Sequence, residues 1–273
     1  STTPFSGTYN GLFNTITGLT ISKSGSNNIG LFGYLSGATI TDLNLQSVNV
    51  QGSNTVGGLF GRSDNSTISK CSVEGTITAS NYAGTIGGQF IGGTITNCYA
   101  ITTNSSITNT SGFIGGIVGY STGSISYSYT RSVLGLYGNK GSICGSNAGT
   151  ISNCTWDTGG TYSATGVDTG TTSNSVGHSS TELKSASTYT AAPLSWNFST
   201  IWTIDSYTNN NYPYLLNTHM AVWNGTDWGG ASIDNYTYYK IPVIGSGTYP
   251  TFSSSRSCSG IEIEAGAKLT IRS

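Results

Sequence analysis

The stretch Gly57–Val73, GGLFGRSDNSTISKCSV, decides how this chain folds, because related copies of it return four times. They read GLFGYLSGATITDLNL at Gly30–Leu45, GGQFIGGTITNCYA at Gly87–Ala100, GGIVGYSTGSISYSYT at Gly115–Thr130 and SICGSNAGTISNCTW at Ser142–Trp156. Their central isoleucines, Ile40, Ile68, Ile95, Ile125 and Ile151, are spaced by 28, 27, 30 and 26 residues. A period in that range marks a solenoid, whose repeats bury their apolar side only by stacking on one another.

Inside each copy the pattern is short and alternating, as in TIT-DLNL, TIS-KCSV and TIT-NCYA, and is broken by Gly, Asn and Ser. Period two with such punctuation specifies strands. About three strands fit one repeat, which predicts an all-β, right-handed parallel β-helix with one repeat per coil. The isoleucines then point inward. Beside them runs a column of Leu43, Cys71, Cys98, Ser128 and Cys154. Phe5–Gly11 and Ile16–Ile21 are expected to form an opening coil, and Gly159–Gly177, where the pattern fades, a long loop. Thr181–Tyr189 is expected to hold one short helix. Residues 1–216 are predicted to form the β-helix, with an aromatic cap over 161–216. Residues 217–273, where Ile261–Ile263 and Lys268–Ile271 alternate, form a small separate β unit that reads as the start of a further module.

Composition narrows the function classes. Charged residues are 8% of the chain and the net charge is −1, so no basic stripe exists to neutralise phosphates or to hold an anionic membrane. Nucleic acid and membrane insertion are therefore not expected. No apolar run reaches the ~20 residues of a membrane span. Ser1–Pro4 reads as an internal or mature start, an export signal having been removed. The 39 glycines and the many Ser, Thr and Asn suit a coiling backbone with an uncharged pleated surface. The cysteines Cys71, Cys98, Cys144, Cys154 and Cys258 are odd in number and lack zinc-ligand spacing, so a buried thiol column is preferred over a disulfide framework.

The repeats resemble the GLUG-motif family, whose Gly-Gly-Leu-Val/Phe-Gly block is followed by Gly-x-Ile-x-Asn-Cys-Tyr. The matching residues are Val56–Gly61, Ile114–Gly119 and Gly93–Tyr99, and Asn153–Thr158 is similar to the family's closing Asn-Cys-Tyr-Trp-Asp. Trp196–Trp202 and Tyr212–Leu215 resemble the Trp-Asp-Phe…Trp…Tyr-Pro-x-Leu ending of such arrays. In the third copy Gln89 replaces the Leu and Ile91 the Gly, so a locally reshaped turn is expected there. The tail from Trp223 to Ile271 is similar to β modules of large surface proteins of Bacteroidetes-type bacteria. The resemblance spans roughly residues 1–216. It implies a parallel β-helix within a large secreted or cell-surface, adhesin-like bacterial protein, and it supplies no catalytic residue.

Candidate sites are few. Between Gly30 and Asp157 the acids are Asp42, Asp64, Glu74 and Asp157, and Lys70, Asn97, Tyr127 and Asn153 take the place of Asp42 in the other copies, so no acidic column forms. Glu262 and Glu264 read as a solvated edge, while His178 and His219 lack neighbours at ligand spacing. No catalytic centre, metal or cofactor is expected, and a carbohydrate-active enzyme ranks third. The sequons at Asn65, Asn104 and Asn224 fit chance in this composition, and Tyr236, Tyr238 and Tyr239 read as packing residues of the second unit, with stacking on sugars the alternative. The most organised polar feature is a hydroxyl ladder of Thr39/Thr41, Thr67/Ser69, Thr94/Thr96, Ser124/Ser126 and Thr150/Ser152. Flanking an inward isoleucine, both members of each pair point outward. Such a grid resembles the surfaces of ice-binding β-solenoids, although Thr and Ser also suit any exposed parallel strand. The expected function is a non-enzymatic surface stalk or adhesive segment meeting glycans or other surface polymers. Ice binding through the ladder is the alternative.

Overall fold

The computed structural model describes residues 3–107, 112–135, 137–159, 165–204 and 209–216, together with six short strands between Met220 and Ile271. Of 103–107 and those six strands, only the backbone is described. The chain divides into two compact units, residues 1–183 with 187–196, and residues 184–186 with 197–273.

The first unit is a parallel β-solenoid. One coil, taken from the best-matching copy, runs through Thr55–Gly57, Phe60–Ser69 and Ser72–Ala79 before Tyr82–Gly84 begins the next. Equivalent strands stack into a four-stranded short face, a ten-stranded long face and an eight-stranded back face. The isoleucines form one file in register, Ile40 to Ile68 to Ile95 to Ile125 to Ile151, with Tyr9 before them. All five isoleucines are at most 1% exposed. Fully burying each contributes about 1.5–3 kcal/mol, which is what a lone repeat lacks.

A second interior file, Leu43, Cys71, Cys98, Ser128 and Cys154, is equally buried, and the four described cysteines are free thiols. Cys71, Cys98 and Cys154 each donate to the carbonyl two residues earlier, at 3.3 Å in every case. Burial pushes the Cys154 thiol up to about 12. Burial and the neighbouring Cys98 thiol push Cys71 well above its ordinary value.

The corner after the isoleucine strand has the same backbone in every copy. Asp42, Lys70, Asn97, Tyr127 and Asn153 all adopt left-handed φ, between 48° and 53°. Asn and Asp tolerate that region, whereas Lys and Tyr hold it at a cost. The φ values account for the identity of three of the five corner residues; Lys70 and Tyr127 share the backbone without being suited to it.

Two expectations are corrected. Residues 159–177 are not all loop: Val167–Thr169 pairs with the strand at Cys144, and Val176–His178 with Thr155–Asp157. A further coil after the five copies is thus built from short, mostly polar strands, because parallel backbone pairing needs no apolar pattern once a template edge is present. The third copy is not reshaped either. Register places Gly87 opposite Phe60 and Gln89 opposite Arg62, in an unbroken strand Gly87–Thr96. Its motif block is therefore Ala83–Gly88, with Ile86 at the Leu position and Gly88 at the Gly position. Leu59, Ile86, Ile117 and Ile143 form the corresponding fully buried file.

The opening coil is present as Thr8–Asn10, Thr15–Thr17 and Thr20–Ser22, each paired to the coil that follows. The helical region splits into a 3-10 turn, Glu182–Lys184, and a short α-helix, Ala186–Thr190. Tyr189 and Trp196 pack against Tyr129 on the back face, at 6.4 and 6.3 Å between ring centroids. Trp196 Nε1 donates to the Asn153 carbonyl at 2.7 Å, and Asn153 Nδ2 donates to the carbonyls of Pro193 and Leu194. This return segment leaves Tyr129 fully buried.

In the second unit, Trp202–Thr203 pairs antiparallel with Tyr214–Leu215. Met220–Trp223, Tyr238–Ile241 and Gly260–Ile263 form parallel pairs, and Thr251–Phe252 pairs with Thr270–Ile271. No helix among the described residues is long and apolar enough to cross a membrane.

Candidate functional site

The long face carries the hydroxyl ladder as two files. Thr8, Thr39, Thr67, Thr94, Ser124 and Thr150 lie in register in one. Asn10, Thr41, Ser69, Thr96, Ser126, Ser152 and Ser173 make the other. Strand geometry sets the files roughly 6.7 Å apart and the rungs about 4.8 Å apart. Thr67, Thr94 and Thr150 are exposed, and their ladder partners from Thr39 to Ser152 are half-buried. Some hydroxyls satisfy one another along the files: Ser126 Oγ donates to Thr96 Oγ1, and Thr150 Oγ1 to Ser124 Oγ, both at 3.1 Å. All ten sequence-selected hydroxyl residues are thus brought together on one strip.

Beside this strip lies a file that sequence reasoning missed. Tyr34, Arg62, Gln89 and Tyr120 stand in register on consecutive coils. They alternate with the buried Leu35, Ser63, Phe90 and Ser121, so they point outward. Tyr34 Oη donates to Asp64 Oδ2 at 2.6 Å. Arg62 donates to both oxygens of the same carboxylate, at 3.0 and 3.1 Å. The guanidinium also lies over the Tyr34 ring, 5.7 Å from its centroid. The hydrogen bond to Asp64 raises the pKa of the Tyr34 phenol, and the same carboxylate raises that of Arg62. The signal was available: each of these residues directly follows the last glycine of its block, Gly33, Gly61, Gly88 and Gly119.

The acids do not converge. Asp64 is engaged on the long face, while Asp157 is buried on the back face and accepts from Ser180 Oγ and the Gly159 amide. His178 sits 3.8 Å from Glu182, whose carboxyl is held below its usual range mainly by bonds from Ser179. Among the described residues, no three of His, Cys, Asp and Glu gather as a metal site. Asn65 is exposed and left-handed, at φ 49°. His219, Asn224, Tyr236, Cys258 and Glu264 lie outside the described residues, as do the side chains of Asn104, Tyr238, Tyr239 and Glu262.

The model of the GLUG motif matches residues 52–78, which is the coil containing Phe60–Ser69 and Ser72–Ala79. A stretch of 86 residues, 31% of the chain, is 37% identical to Halomucin of Haloquadratum walsbyi (strain DSM 16790 / HBSQ001). That stretch is 1% of Halomucin, so the chain spans only a small part of the curated relative it matches. No solved structure matches the chain. Residues 52–78 thus carry a GLUG motif, and that motif forms one coil of a parallel β-solenoid.

Proposed function

We propose that this chain is a non-enzymatic β-solenoid segment of a larger secreted, cell-surface protein, and that it spaces and attaches. The observation that carries this reading is the unbroken coil-on-coil register from Thr8 to Ser173, which repeats one uncharged outward strip on every rung. The match to a short part of a far longer protein supports a segment serving within an array. The partners are surface glycans or similar polymers, met by weak contacts that gain strength through repetition. A panel of immobilised glycans and cell-wall polymers tests this. The expected result is retention that rises with polymer length; a chain that binds none of them is a spacer only.

Ice is a second reading, favoured by one observation: Thr and Ser alone fill both files from Thr39 to Ser152, in register and without charge. Thermal hysteresis in the natural chain that is abolished by Thr94→Tyr supports it. A natural chain without hysteresis ends it.

A further inference from the structure

We infer that the facet formed by Tyr34, Arg62, Gln89 and Tyr120 binds a linear, uncharged polysaccharide laid along the stacking direction of the coils. This deepens the attachment reading above and rests on it. The four residues present flat, hydrogen-bonding groups (phenol, guanidinium, amide, phenol) on four successive rungs, a run of about 14 Å at strand spacing. On the next rungs the file reverts to Ser146 and Thr169. The facet is therefore a bounded patch on an otherwise hydroxyl-bearing surface.

Rings from the adjoining short face extend the patch. Tyr82 and Phe113 stack at 5.9 Å, and Tyr82 meets Tyr120 edge-to-face at 6.2 Å. All three are half-buried, so packing holds the rings while part of each stays accessible. Flat apolar surface beside fixed donors and acceptors suits a sugar, which has C–H faces and hydroxyl edges.

Charge decides between polymer classes. Arg62 and Asp64 cancel within a two-bond pair, and Tyr34 closes the same network. An acidic polymer would have to take Arg62 from Asp64 and leave that carboxylate facing it. A neutral polymer leaves the pair intact and uses the donors that remain. The same network holds Tyr34 and Arg62 in place before any ligand arrives, which lowers the ordering cost of binding.

Affinity electrophoresis of the natural chain in gels containing hydroxyethyl cellulose, dextran or polygalacturonate tests the proposal, with Tyr120→Ala, Gln89→Ala and Thr94→Tyr as variants. Circular dichroism checks that each variant keeps its fold. Retardation by a neutral polymer is expected, weakened at least tenfold by Tyr120→Ala and severalfold by Gln89→Ala. Retardation by polygalacturonate alone overturns it. Neutral retardation lost in Thr94→Tyr but unchanged in Tyr120→Ala and Gln89→Ala also overturns it, and leaves attachment through the hydroxyl strip standing. Absence of retardation by all three polymers overturns the facet proposal; the broader attachment reading then falls only if the glycan panel is also negative.

Discussion

At the scale of single residues, the corner after the isoleucine strand shows what one sequence position carries. Asn97 and Asn153 suit a left-handed backbone, while Lys70 holds φ 51° at a conformational cost. Lys70→Asn is expected to stabilise the chain by up to about 1 kcal/mol, read as a raised midpoint in urea with unchanged slope. The thiols give a prediction with a sign. In the unfolded chain a cysteine ionises near ~8.5, whereas Cys154 in its buried file stays protonated to about 12. Between those values the native state holds more protons than the unfolded state. Stability is thus fully present below the unfolded value and falls as pH rises through the window. The slope is about 1.4 kcal/mol per pH unit for such a thiol. Urea midpoints measured from pH 8 to 11 should decline more steeply in the natural chain than in Cys154→Ser. Equal slopes would remove the thiol from the explanation. The inward isoleucines were legible in sequence from the alternation around them, whereas the thiol file, three residues on, faces inward only because the left-handed corner residue between them turns the chain. The Tyr34–Arg62–Asp64 network was not: the glycine before Tyr34 and Arg62 marks their shared file, but nothing local shows that the Tyr34 phenol reaches Asp64, 30 residues away.

At the scale of the strand and coil, matching by eye and matching by hydrogen bonds diverge in the third copy. Gly-Gly at 57–58 and at 87–88 look equivalent, yet Gly87 pairs with Phe60. The reason is volume. A Cβ on Gly87 would lie 2.0 Å from the Phe60 ring, so the ring takes the space that a side chain at 87 would fill. In the two coils that follow, Val118 and Cys144 share that burden between neighbouring rungs. Sequence alone does not show which neighbour's ring fills a rung, so the glycine pair by itself puts the block three residues too far along the chain. Gly87→Ala should cost about 1–3 kcal/mol by overpacking, and Phe60→Val in the same chain should recover much of that loss. Thermal melts of the two single variants and the double variant measure the coupling. Additive losses would show that the ring and the glycine are independent. The coil after the five copies makes the complementary point: Val167–Thr169 and Val176–His178 join the faces with hardly any apolar pattern, because an existing strand edge specifies their pairing.

At the scale of the whole solenoid, stability is a sum over coils and the contacts between them, so the coil is the unit that can be removed. Ile68 and Ile95 face each other across adjacent rungs, as do Ser69 and Thr96. Deleting Ser69–Ile95 joins Ile68 directly to Thr96, so every later residue drops by one rung while keeping its file. The interior files close over the gap: Cys98 follows Ile68 by the spacing Cys71 had, and the left-handed corner passes from Lys70 to Asn97. The shortened chain should fold with the same β signature per residue and melt at a lower temperature, since one set of coil contacts is gone. A deletion about half as long would instead turn the back-face residues onto the long face. Each interior file would then end in a side chain meant for solvent, and strand register would put polar groups into the core. That variant should be unfolded or aggregated by circular dichroism and light scattering. If both deletions fold equally well, the files do not specify the stack. If neither folds, some contact beyond neighbouring coils holds it together, and the segment from Ser187 to Trp196, bound to Tyr129 and Asn153, would be the first place to look.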